Sequence, residues 1–196
     1  MMTSSKKLIA TLAAIDAINI QDPTLINIDN QTLPKEYVYG QQMSACLEHY
    51  WPNSDEILQI AVRAQHIKRW HLMRSEFALG KAGYYQWRIA LGKFHAETTE
   101  KLMLEQGYSN EQATQTASIL RKEQLKTHQA TQTLEDVACL VFLEHYFDDF
   151  SGKHSEEKII RILQKTWAKM SEKAHNIALT LALPGHLAKL VEKALA

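Results

Sequence analysis

The chain is short of cysteine, of net charge, of long apolar runs and of period-two alternation, and each shortage excludes something. Only two of its 196 residues are cysteine, Cys46 and Cys139, and each sits inside an apolar helical run. They form no CxxC pair and no metal-ligand spacing, so both read as small buried hydrophobes in a reducing compartment. With 22 basic and 22 acidic side chains the formal net charge is zero, which argues against a dedicated duplex-DNA or RNA binder. No stretch reaches the roughly 20 apolar residues of a membrane span. The first fifteen residues place lysines before an apolar run, as a signal peptide would, but Asp16 and Asn19 interrupt it. The same residues make an amphipathic helix, and a cytoplasmic location is expected. Nothing alternates with period two and β-branched residues are few, so strands are not expected.

What remains is an ordinary globular composition, 45% apolar and 22% charged, on a length that suits one domain. The expected fold is all-α: a single helical domain over residues 1–196, its core at about 34–150, with C-terminal helices at 154–195 packed on it. Ser4 or Ser5 caps a first helix carrying Leu8, Leu12 and Ile15, and Gln21-Asp22-Pro23 ends it. Asn27 to Leu33, with Asp29, Asn30 and Gln31, reads as a turn. Pro34 opens a second helix to about Trp51, and Ser54-Asp55-Glu56 starts a third that carries its apolar face to Ile67. Periodicity fails from Arg69 to Gly83, which suggests a functional loop. Helices follow from Ala82 to Gln106, stopped by Gly107, from Asn110 to about Glu123 behind Ser109, and from Gln129 to Phe147. Ser155 opens the next, through Met170, and stretches from Glu172 to Leu183 and from Pro184 complete the chain.

The strongest candidate for a site is Ile60 to Trp70, which ends an apolar run on His66, Lys68, Arg69 and Trp70. Of nine histidines, His66 and His95 each end an apolar half-turn and point inward, whereas the others lie in polar, terminal or helix-end surroundings. A lone inward histidine is ordinarily a hydrogen-bonded core residue. Asp136 shares the buried stripe of its helix with Cys139 and Leu140, where a carboxylate is costly without a partner. That partner is a protonated histidine, an arginine or a divalent metal. His66, His95 and Asp136 together, with water completing the shell, suit Zn, Mn or Fe and a metal-bound water nucleophile. Arg69, Arg88, Lys122 and Lys126 suit phosphate or carboxylate, and Trp70 or Tyr84 suits stacking on a ring. Arg88 stands two turns before His95 on one helix face. Each of these groups also has a plain reading as solvated charge or core aromatic.

The series Pro34-Lys-Glu-Tyr-Val-Tyr-Gly40, Ala64-Gln-His-Ile-Lys-Arg-Trp70, Gly83-Tyr-Tyr-Gln-Trp-Arg88, Phe94-His-Ala96 and Leu134 to Leu143 resembles domain-of-unknown-function family 4202, over nearly the whole chain. More remotely, the layout resembles the HD-domain phosphohydrolases, in which an early His, a His-Asp pair and a late Asp hold a metal. That resemblance puts His66 on the pair's His, His95 on the extra histidine of some members and Asp136 on the late Asp. The pair's Asp is replaced by Ile67, and no histidine stands from Gly40 to Gln42. The resemblance implies an HD-like, metal-dependent hydrolase of a small phosphorylated or nucleotide-like molecule. In it His66, His95 and Asp136 are catalytic and hold a divalent metal (Zn, Mn or Fe), while Arg69, Trp70, Tyr84, Arg88, Lys122 and Lys126 bind substrate. The alternative is a non-catalytic ligand-binding or protein-interaction module on a degenerate form of the same fold. A tRNA-associated factor would need a basic face that the charge balance does not suggest.

Overall fold

In the computed structural model the described residues are 5–28 and 30–195. Ser4 and Asp29, named above as a cap and a turn residue, lie outside them. The chain divides into two compact units, residues 1–134 and 135–196.

The first unit is built around a short apolar helix. Helix α1 spans Lys6–Asn19, with the Ser5 hydroxyl accepting from the Leu8 amide as its cap. A β-hairpin follows, β1 Leu25–Ile28 and β2 Gln31–Pro34, antiparallel with Ile26 opposite Leu33 and Asn27 opposite Thr32. This corrects the expectation of a plain turn and of no strands. Asn30 takes a left-handed conformation, φ 64°, which asparagine tolerates and which lets so short a connection reverse the chain. Pro34 then caps helix α2, Lys35–Tyr50, without entering it.

Helix α3, Glu56–Ala64, is capped by Asp55 and buries Ile57, Leu58, Ile60, Ala61, Val62 and Ala64. Glu56, Gln59 and Arg63 fall on one stripe of this helix, and the broad apolar face beside them must be covered. Helices α1 and α2 pack on it, together with α4, Gly80–Glu105, and α5, Asn110–Leu120. Gly40 is where α2 meets α3: a Cβ there would stand 3.3 Å from the Arg63 carbonyl oxygen. α3 ends sooner than its apolar pattern suggests. Beyond Ala64 the chain turns, and Lys68 adopts φ 49°, ψ 37°, a left-handed conformation no α-helix continues through. Ile67 stays fully buried although it is no longer helical.

The stretch read as a loop from Arg69 to Gly83 contains two 3-10 turns, Arg69–His71 and Arg74–Glu76, before α4 begins at Gly80. Gly107 ends α4 with φ 81°, the left-handed cap its position predicts. Helix α6, Gln129–Val141, reaches from the first unit into the second.

In the second unit α6 is followed by a π-turn, Phe142–Tyr146, and by α7, Phe147–Ser151. Helices α8, Glu156–Trp167, α9, Glu172–Ala178, and α10, Gly185–Leu195, complete it. α10 packs on α7 and α8 over buried Phe147, Ile159, Leu163 and Leu187. No helix among the described residues is long and apolar enough to cross a membrane.

Candidate functional site

The turn that ends α3 delivers His66 and Arg69 to one side of the first unit, opposite the start of α2. His66 Nδ1 lies 2.9 Å from Glu36 Oε2, and its ring stacks on Tyr39 at 4.0 Å between centroids. Glu36 Oε1 is 3.8 Å from Arg69 Nε, and the Arg69 guanidinium sits 5.0 Å from the Trp87 ring centroid. Trp87 is itself fixed by donating to the Leu72 carbonyl.

Glu36 is held from below. The Asp22 carboxylate accepts from the Glu36 and Thr24 amides, both at 2.9 Å, and so caps the first turn of α2. Asn19, buried at the end of α1, donates to the Glu36 carbonyl and accepts from the Lys68 amide at 2.9 Å. That second bond stabilises the left-handed turn and thereby aims Arg69 back toward Glu36.

His95 lies across from His66 on α4, with ring centroids 6.1 Å apart. It is 4% exposed and hydrogen-bonded to the Gln65 backbone, and its Nε2 has no partner. Both rings line a cavity of about 470 Å³, together with Gln65, Arg69, Arg88 and Lys122. Leu91 forms part of its wall, and exposed Tyr85 and Ile89 stand at its edge. Lys122 reaches it from beyond the end of α5, where the chain takes φ 58°.

Electrostatics follow from this crowding. Burial pushes Glu36 up to about 7, against the pull of Arg69 and Lys35. Burial, then Arg69, Arg88 and Lys122, hold His66 well below the usual imidazole range. Burial, then His66, Arg69 and Arg88, do the same for His95. Both imidazoles are therefore neutral at pH 7. An ionised Glu36 accepts only, so it fixes the proton of His66 on Nδ1 and leaves the lone pair on Nε2.

Of the residues singled out in the sequence, the cavity gathers His66, His95, Arg69, Arg88 and Lys122. Trp70 stands half-buried in the first 3-10 turn, and exposed Tyr84 packs on Tyr85 and Trp87, each 5.9 Å away. Lys126 is exposed in the turn after α5. None of these three lines the cavity. Asp136, 2% exposed, accepts at Oδ1 from the Ser171 amide at 2.8 Å and at Oδ2 from the Ser171 hydroxyl at 2.5 Å. Among the described residues no group of three or more His, Cys, Asp or Glu side chains is arranged to hold a metal ion. Each imidazole does have the outer partner typical of a metal ligand, a carboxylate for His66 and a backbone group for His95. Two such nitrogens fall short of the three protein ligands of a catalytic zinc centre, so the residues gathered here do not complete the set expected from the sequence.

Glu36, Tyr39 and Gln65 are the site residues that the sequence reading missed. Glu36 carried a signal, since it shares its spacing with Tyr39, Gly40 and Met43 on the buried face of α2. It was masked by resembling an ordinary first-turn acid. No curated protein and no solved structure matches the chain. A family model described as Domain of unknown function (DUF4202) matches residues 9–191, and the chain belongs to that family.

Proposed function

We propose that the protein is a cytoplasmic hydrolase of a small phosphorylated, nucleotide-like molecule, built on an HD-like helical scaffold, with Glu36 and His66 as its acid–base pair. The observation that carries this is the 2.9 Å contact between Glu36 and His66 Nδ1 in a cavity also lined by Arg69, Arg88 and Lys122. Three cations suit the charge of a phosphoryl group, and a neutral imidazole oriented by a carboxylate suits the removal of a proton from water. In the reaction the water oxygen bonds to phosphorus as the ester P–O bond breaks. The water proton passes to His66 Nε2 and then to solvent, and the departing oxygen takes a proton from solvent. Arg69, Arg88 and Lys122 neutralise the charge that gathers on the phosphoryl oxygens. No step is routed through a metal. Cys46 and Cys139, buried and not joined in a disulfide, support the cytoplasmic placement.

The test is a phosphatase assay over nucleoside monophosphates and small phosphate esters, with binding measured in parallel. Turnover should fall by about 10²–10⁴ in His66→Ala, the usual reach of a general base, while phosphate binding survives. Arg88→Ala should weaken binding. Because the proton on Nδ1 must be held by an ionised Glu36, kcat/KM should rise as pH passes through about 7. Binding without turnover on any ester of the panel, unchanged by His66→Ala, favours the second reading, a ligand-binding module. That reading draws its support from Ile67, which fills the place of the acid in the His-Asp pair and lies fully buried.

A further inference from the structure

Two residues that line the cavity each carry a buried polar atom without a hydrogen-bond partner. His95 Nε2 and Gln65 Oε1 are buried without a hydrogen bond, in residues 4% and 7% exposed, and both residues line the 470 Å³ space. Such atoms are rare in folded proteins because each forfeits its hydration, so a pair in one cavity calls for a ligand that satisfies both. Their chemistry specifies the ligand further. His95 is neutral and its other nitrogen is engaged with the Gln65 backbone in a bond that favours the protonated ring, so Nε2 presents a lone pair. Gln65 Oε1 is a carbonyl oxygen and accepts only. The oxygens of an ionised phosphate also only accept and would be repelled by both. Arg69, Arg88 and Lys122 only donate, and they answer the phosphate. The cavity thus asks for an anion against the cations and for hydrogen-bond donors against His95 and Gln65. A volume of 470 Å³ also exceeds what a bare phosphate fills and lies in the range of small-molecule sites.

We infer that the ligand is a phosphorylated sugar whose free hydroxyl groups donate to His95 Nε2 and Gln65 Oε1 while its phosphate meets Arg69, Arg88 and Lys122. This rests on the reading that the cavity takes a phosphorylated molecule, and it names the class. Vicinal hydroxyls donate in pairs and also accept, and the C–H face of a sugar ring packs on apolar walls such as Leu91 and Tyr85. A nucleoside 5′-phosphate is one form of the class.

The experiment is calorimetric titration of the full chain with ribose 5-phosphate, methyl phosphate and phosphoethanolamine, repeated on His95→Phe, Gln65→Leu and Arg88→Ala. Ribose 5-phosphate should bind at least about tenfold more tightly than methyl phosphate, since only the sugar satisfies the buried acceptors. His95→Phe and Gln65→Leu should each narrow that ratio and leave methyl phosphate affinity within about twofold. Arg88→Ala should weaken both ligands alike. Equal binding of the two ligands overturns the sugar assignment while leaving the phosphate reading standing. So does a ratio that survives in both His95→Phe and Gln65→Leu. Tighter binding of phosphoethanolamine than of ribose 5-phosphate replaces the hydroxyl donors by an ammonium. If methyl phosphate does not bind, or binds independently of Arg88, the phosphate reading falls and the inference falls with it. Circular dichroism of each variant checks folding, and His95→Phe and Gln65→Leu serve as independent tests should one of them unfold.

Discussion

Replacing Glu36 by glutamine tests the electrostatics of the site without disturbing its shape. Glutamine has nearly the volume of glutamate, keeps a hydrogen-bonding group against His66 Nδ1, and removes the ionisation. In the folded chain Glu36 holds its proton up to about pH 7, whereas the unfolded chain releases it near 4.5. Between these values the unfolded state binds fewer protons, so the native state loses stability as pH rises through the window, and the loss is complete above it. A shift from 4.5 to about 7 corresponds to about 3 kcal/mol at 1.36 kcal/mol per unit. The side chain is only 9% exposed, so little of this is lost to solvent screening.

Glu36→Gln should therefore gain stability relative to the natural chain between pH 5 and pH 8, by up to about 3 kcal/mol. For a chain of this size that is roughly 6–12 °C in Tm. His66 and His95 act in the opposite direction, because their lowered values mean that stability falls as pH drops below 6.5. That contribution is present in both proteins and cancels to first order in the difference between them. The assay is urea denaturation of both proteins across the pH range. A stability difference that stays flat between pH 5 and pH 8 would refute the reasoning and show Glu36 ionised throughout, as a firm partner of Arg69.

Asp136→Ala should cost about 2 kcal/mol, because it leaves the half-buried Ser171 amide and hydroxyl without this acceptor, and thermal melting reads this directly. Loss of turnover with stability intact would instead return Asp136 to the chemistry. Chelator should leave the melting transition unmoved and protein purified without chelator should carry no stoichiometric Zn, Mn or Fe, given that a metal bound only to the native state would raise Tm. A stoichiometric metal lost in both His66→Ala and His95→Ala would restore the metal centre. Asn19→Ala should cost about 2 kcal/mol and also weaken phosphate binding, since the same side chain fixes the Glu36 carbonyl and the Lys68 turn that aims Arg69. Unchanged phosphate affinity would show that Arg69 does not depend on that turn.

The helices were legible because their signals are local. Ser5, Asp55 and Ser109 cap where their side chains can accept from the next turn, and Gly107 stops α4 where a left-handed residue is required. The hairpin was not, for Leu25–Ile28 and Gln31–Pro34 are only four residues each and their pairing is with one another. Nor was the end of α3, because Ile67 stays in the core after the helix has ended and so prolongs the apolar pattern. His66 and His95 were legible as inward residues. Asp136 was legible as a buried carboxylate needing partners, but one that it found is Ser171, 35 positions away, which no spacing rule indicates.

The acid beside His66 carries this point furthest. The HD-like scaffold proposed above would look for it at the next position in the chain, where Ile67 stands fully buried. An acid does stand against His66, but it is Glu36, 30 positions earlier, brought there by α2 and held by Asp22 and Asn19. In the proposed reaction that origin gives it a different role. An Asp following the histidine would share its turn and could serve as a second ligand to a common atom. Glu36 meets Nδ1 instead, on the side of the ring away from Nε2, where it sets the tautomer and the basicity of the nitrogen left over. In the proposed reaction the carboxylate therefore acts through His66 and not beside it. The left-handed turn at Lys68 serves the same carboxylate: by swinging Arg69 back over it, the turn helps keep ionisable at neutral pH a buried acid that burial alone would hold protonated.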